Sequence, residues 1–168
     1  MIGKLLPHNT FLLALIVLFC SICLLPINLL AQSDTDHDNI DVNDVAAQTS
    51  LSVSYYDPSL YCNPYANISN FSDISVRYYF SASLSVYWND RTLFHSDSDA
   101  DKGWVAEDDS ISFVPSFDLD MSGEREGNYT AYGAVSLLLK FDFNGDGVFD
   151  DTPGVDSSAS IDFSNEEE

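Results

Sequence analysis

Gly127-Asn-Tyr-Thr-Ala-Tyr-Gly-Ala-Val-Ser-Leu-Leu-Leu-Lys-Phe141 runs without a break into Asp142-Phe-Asn-Gly-Asp-Gly-Val-Phe-Asp-Asp151. In the first segment Tyr129, Ala131, Gly133, Val135, Leu137, Leu139 and Phe141 occupy every odd position. Successive side chains of a strand point to opposite faces, so this spacing predicts a long antiparallel strand with its odd positions turned inward. A slip of one residue would put Ser136 and Lys140 in the core, so the register is strongly specified.

The same alternation extends outward along the chain. From Ile74 to Trp88 every even position is apolar, while the odd positions are mostly serine with Arg77, Tyr79 and Tyr87. This predicts a second long strand, bent or broken near Ser81-Ala82. Ile111 to Met121 alternates Ile, Phe, Pro, Phe, Leu and Met, and Pro115 has no N–H for a ladder, which places that strand at an edge or at a bulge. Leu51, Val53 and Tyr55 begin the domain, Asp57-Pro58 ends that first strand, and Tyr61 to Asn70 reads as a loop. Shorter runs at Thr92 to Phe94 and Ser158 to Phe163 complete the set. With no helical stripe outside the N-terminal segment, the expectation is an all-β fold, an antiparallel β-sandwich of about six to seven strands over residues 51–163, with a small β-barrel as the alternative.

The acidic turn has a chemistry of its own. Asp142, Asn144 and Asp146 alternate, Gly147 permits a sharp turn, Val148 offers a backbone carbonyl, and Asp150 and Asp151 bring further carboxylates. Calcium is a hard cation that takes about six to eight oxygens, and Asp-x-Asn-x-Asp-Gly supplies three side-chain oxygens around a glycine turn. Over Asp142 to Asp150 the stretch resembles the calcium loop of EF-hand and dockerin-type proteins, which implies calcium as cofactor and these residues as ligands. Phe149 would anchor the loop in the core. The twelfth position, a bidentate glutamate in that family, is Pro153 here, and Pro153-Gly154 replaces the following helix. The resemblance therefore covers the loop and not the fold, and the missing ligand falls to Asp151, to Asp156 or to a residue elsewhere.

Two further acidic stretches, read as loops between strands, offer candidate metal sites: Asp97, Asp99 and Asp101 ahead of Gly103, and Asp118 with Asp120 ahead of Gly123. Asp34-Thr-Asp-His-Asp-Asn39 has similar spacing. Aspartate is frequent throughout the chain, so Asp-x-Asp pairs also arise from composition alone, and Asp118 and Asp120 read equally as the polar face of a strand.

The formal charge of the 168-residue chain is -21. Without Lys4 it becomes -22, which argues against nucleic acid and anionic membrane surfaces and for cations as partners. Residues 1–31 combine Lys4, an apolar run from Phe11 to Leu25 and a small-residue site at Leu29-Leu30-Ala31, as in a signal peptide. The run is also long enough to serve, uncleaved, as a membrane anchor. Export to the medium, the cell surface or a periplasm is expected, with membrane contact only through an uncleaved leader. Residues 32–50 read as a flexible acidic arm and 164–168 as an acidic tail. Cys20 and Cys23 fall in the leader, so Cys62 is alone in the remainder and forms no internal disulfide.

Catalysis finds no support: His37 and His95 are isolated, and neither Gly-x-Ser-x-Gly nor His-Glu-x-x-His occurs. Asn67, Asn70 and Asn128 open glycosylation sequons. Two function classes follow. One is an exported, non-catalytic, calcium-stabilised domain with a structural, adhesive or protein-binding role. The other is a carbohydrate-binding module that uses Tyr79, Tyr87, Trp88 and Trp104, since flat rings stack on sugars.

Overall fold

In the computed structural model, which describes residues 32–166, the chain forms nine strands. These are β1 (Gln32–Val42), β2 (Val45–Tyr56), β3 (Ser59–Asn70), β4 (Val76–Trp88), β5 (Leu93–Val105), β6 (Asp109–Phe113), β7 (Phe117–Asp120), β8 (Gly127–Lys140) and β9 (Gly154–Asn165). The expected leader, 1–31, and Glu167 and Glu168 of the expected tail lie outside the described residues. All pairings are antiparallel. One sheet runs β1-β2-β3-β6 with β7 also on β3, the other β5-β4-β8-β9, and the two pack as a sandwich rather than a closed barrel.

The register follows the hydrophobic alternation. Val76, Tyr78, Phe80, Ala82, Leu84 and Val86 of β4 are buried, as are Tyr129, Ala131, Val135, Leu137 and Leu139 of β8. They meet Leu51 and Val53 of β2 and Leu60, Cys62 and Ile68 of β3 from the facing sheet. Gly133 lies against the facing sheet with no room for a side chain: a Cβ there would sit 2.8 Å from Val53 Cγ2 and 3.0 Å from both Cys62 Sγ and Leu51 Cδ2. β4 is continuous through Ser81-Ala82, and its one irregularity against β5 falls between Val86 and Tyr87. Pro115 separates β6 from β7, both of which pair with the same edge of β3.

Four segments differ from expectation. Residues 32–50 are not a flexible arm but β1 and the start of β2, paired from Gln32↔Tyr55 to Val42↔Val45. Asn43 and Asp44 connect them with φ of 53° and 62°, as a two-residue type I′ hairpin requires. Apolar alternation is missing from β1 because Asp34, Asp36 and Asp38, opposite Val53, Leu51 and Thr49, occupy the core-side positions of an edge strand. Their Oδ2 atoms accept hydrogen bonds from the N–H groups of Ser160 (2.9 Å), Ser158 (2.9 Å) and Asp156 (3.4 Å) on β9.

Residues 61–70 are strand β3 rather than a loop. Its even positions are buried, and the polar member, Asn70, is satisfied: its Nδ2 donates to the carbonyls of Ile74 (2.8 Å), Ala106 (2.9 Å) and Val105 (3.2 Å). Pro64 falls in the interval where neither β6 nor β7 pairs with β3. The third difference is the acidic stretch 97–103, expected as a loop and found within β5. At the C-terminal end Ser164 and Asn165, assigned to the tail, complete β9, and buried Asn165 accepts from Tyr55 Oη and donates to Met121 O.

Candidate metal centre

β8 delivers the acidic loop and β9 receives it. Phe141 is fully buried, its N–H donates to Asp151 O (3.0 Å), and Asp150 N–H donates to Phe141 O (2.8 Å), which closes the loop's base as a β-bridge. Phe143 stacks on Phe141 with ring centroids 5.4 Å apart. The anchor is thus Phe141; Phe149, expected in the core, is half-buried with Lys140 Nζ 5.2 Å from its ring centroid.

Within the loop the side-chain oxygens organise the backbone. Asp142 accepts from Gly145 N–H through Oδ1 and from Gly147 N–H through Oδ2, both at 2.9 Å. Asn144 Oδ1 accepts from Asp146 N–H (2.9 Å), and Asp146 Oδ1 from Val148 N–H (2.8 Å). Asp150 Oδ2 reaches across to Phe143 N–H at 2.8 Å, and Asp151 Oδ1 accepts from Thr152 N–H at 2.8 Å. Gly145 and Gly147 have φ of 72° and 84°, the left-handed region that other residues reach only with strain. Val148 is 64% exposed, with its side chain away from the core.

The donor set fits calcium in kind, since every candidate group in this turn is a hard oxygen and the set carries at least four carboxylates. It is not a finished cage. Among the described residues no three His, Cys, Asp or Glu side chains form a metal-holding group. Several of the oxygens hold backbone N–H groups, which leaves their remaining lone pairs for a cation.

The other candidate stretches are laid out differently. Asp97, Asp99 and Asp101 follow one another on the core-side face of β5, opposite Leu84, Ala82 and Phe80. Residues two apart on a strand are about 7 Å apart, so the three carboxylates form a row and not a cluster. Each accepts from the N–H of the next residue at 2.8 Å, and Asp101 also accepts from Tyr78 Oη at 2.9 Å. Asp118 and Asp120 lie on β7. Asp118 accepts from Ser116 Oγ (3.0 Å), and Asp120 accepts from Ser122 N–H (2.8 Å), a bond that lowers its pKa below the usual value.

The aromatic residues divide between the two faces. Trp88 packs against Tyr129 and Phe94 at 4.5 and 5.6 Å between centroids, and Tyr87 meets Tyr132 edge-on. Tyr87 and Tyr132, like Trp104 and Tyr79, lie on the outer face of the β5-β4-β8-β9 sheet, with Trp104 57% and Tyr132 50% exposed. Cys62 is buried in the core, which pushes its thiol pKa up to about 12. Asn70 is fully buried and its side-chain nitrogen is engaged, so its sequon offers no acceptor in the folded chain; Asn128 is exposed.

A surface feature that the sequence does not announce is the group of Arg77, Lys102 and Lys140 beside Trp104 and Tyr79. They stand far apart in the chain and meet only through the registers of β4 with β5 and β8.

No family model matches the chain, and no curated protein matches it. Among solved structures, a protein from Archaeoglobus fulgidus is 9% identical at a TM-score of 0.37, over 80% of this chain and 98% of that one. A putative ApaA protein from Bordetella pertussis is 8% identical at a TM-score of 0.31, over 82% of this chain and 95% of its own.

Proposed function

We propose that this is an exported, non-catalytic β-sandwich whose Asp142 loop uses calcium to hold the β8–β9 connection, with a structural, adhesive or protein-binding role. The observation that carries the reading is the arrangement of Asp142, Asn144, Asp146 and Asp150 around two left-handed glycines, with Asp142 fastened to both glycine N–H groups. Asp142, Asn144, Asp146, the Val148 carbonyl, Asp150 and Asp151 would hold the ion. Bound there, calcium would offset carboxylate repulsion of roughly 3 to 4 kcal/mol for a pair 4 to 5 Å apart at an effective dielectric near 20.

The missing twelfth-position glutamate puts the expected affinity with extracellular modules, on the order of 0.1 to 1 mM. At ten times the dissociation constant calcium then adds about 1.4 kcal/mol. Thermal melts in EDTA, in calcium and in magnesium at equal ionic strength test this. Calcium alone should raise the melting temperature, and a loop that serves only as a turn would respond to both cations alike.

A second reading, carbohydrate binding, is favoured by the exposed Trp104 beside Tyr79 on the outer sheet face.

A further inference from the structure

The outer face of the β5-β4-β8-β9 sheet gathers positive charge in a strongly acidic chain. Arg77 of β4 stands directly opposite Lys140 of β8 and Trp104 of β5, and Tyr79 stands directly opposite Lys102. The Arg77 guanidinium lies 5.1 Å from the Tyr79 ring centroid and 5.8 Å from that of Trp104, and Lys140 Nζ lies 4.8 Å from Tyr79. Three of the five Lys and Arg residues that follow Lys4 therefore share one patch. Among the described residues none of the three is ion-paired with a carboxylate. Like charges directly opposite on neighbouring strands repel, so the arrangement costs stability unless an anion lies across it.

We propose that this patch binds an acidic polysaccharide, a chain of uronate sugars laid flat along β4 and β5. The proposal rests on the carbohydrate reading and gives it a ligand class. Sugar C–H faces would stack on the exposed Trp104 indole, while ring carboxylates would meet Lys102 and the Arg77 and Lys140 cations that the Tyr79 ring holds. Further along the same face a shallow depression of about 440 Å³, bordered by Ser81, Ser83, Ser98 and Ser136 and by Asp99, whose side chain belongs to the core-side row of β5, presents hydroxyls to the sugar hydroxyls. An acidic peptide would use the cations but leave the exposed indole and these serines without a role. A nucleic acid is too wide, because its phosphates would extend onto the carboxylates that cover the remaining surface. The acids of this sheet face, Asp156 and Asp162, lie on β9, two strands away from β4.

The test is a binding titration of the purified protein with polygalacturonate, with a neutral glucan and with poly-glutamate. It is run in EDTA, so that calcium cannot bridge two anions. Polygalacturonate should bind with an affinity that falls as salt rises, and the other two should not. Arg77→Gln and Lys140→Gln should each weaken binding roughly tenfold, as expected for lost charge-assisted contacts. Trp104→Ala, at an exposed position that leaves the core intact, should weaken it by a similar factor. Arg91→Gln and Arg125→Gln, outside the patch, should leave it unchanged.

Equal binding of the glucan would overturn the acidic-ligand proposal while preserving the carbohydrate reading. Failure of both glycans to bind would overturn both. Equal binding of poly-glutamate without dependence on Trp104 would make the patch a peptide-docking surface and overturn the proposal.

Discussion

The Asp36 carboxylate joins two strands that belong to different sheets: its Oδ1 accepts from His37 N–H on β1 and its Oδ2 from Ser158 N–H on β9, both at 2.9 Å. Asp34 does the same for Thr35 and Ser160, and Asp38 for Asn39 and, at 3.4 Å, Asp156. Two N–H-bearing edges thus face each other with a row of carboxylates between them. Edge strands left open are templates for pairing with other chains, and inward-pointing charges are one way to block that. Here the charges also close one side of the sandwich.

Removing this seam should loosen β9 first. Asp36→Ala should cost about 1 kcal/mol, less than a typical hydrogen bond to a charged acceptor because the seam is solvent-exposed. Amide exchange at Ser158 should speed up while exchange at Leu84, on the far strand β4, stays slow. Unchanged Ser158 exchange would show that the seam contributes nothing in solution.

At the centre of the sandwich Gly133 leaves no room for a methyl group against Val53, Cys62 and Leu51. Gly133→Ala should destabilise by about 1 to 3 kcal/mol through overpacking. Val53→Ala in the same chain should recover part of that loss, so a double-mutant cycle in chemical denaturation should give a coupling of about 1 kcal/mol between the positions.

In the acidic loop Gly147→Ala places a Cβ in open space but at φ 84°. The strain should lower stability by about 1 kcal/mol and reduce the calcium-dependent rise in melting temperature. Asp142→Ala removes the acceptor for two N–H groups and should abolish that rise, whereas Asp118→Ala, on β7, should leave it intact.

Burial of Cys62 has a pH consequence with a definite sign. The thiol's ordinary value is 9.0 and the fold raises it to about 12, so over that interval the unfolded chain has released a proton that the folded chain retains. The stability contributed by keeping Cys62 neutral is therefore complete below about 9 and is lost as pH rises through about 12. Tyr55, raised mainly by burial and then by its hydrogen bond to Asp57, acts in the same direction. Cys62→Ala should flatten the alkaline fall in stability, and a thiol reagent at pH 8 should label Cys62 only after denaturant is added.

The antiparallel β class, the inward parity of β4 and β8 and the position of the acidic turn are legible in the sequence because each depends on side chains alternating along one strand. Pro115 at an edge is legible for a similar local reason, its missing N–H. Residues 32–42 and 61–70 are not legible: β1 carries aspartate on its core side, which makes sense only beside β9, and β3 carries Pro64, which makes sense only at the gap between β6 and β7, and Asn70, which makes sense only beside the carbonyls of Ile74, Val105 and Ala106. Tertiary structure alone decides which acidic stretches are rows and which is a turn, since Asp97, Asp99 and Asp101 have loop-like spacing but are drawn into β5 by pairing with β4. It alone also brings Arg77, Lys102 and Lys140 together. Local alternation specifies which way a side chain faces, whereas its neighbours across a sheet are specified by register, and register is the joint outcome of burying both faces of the sandwich at once.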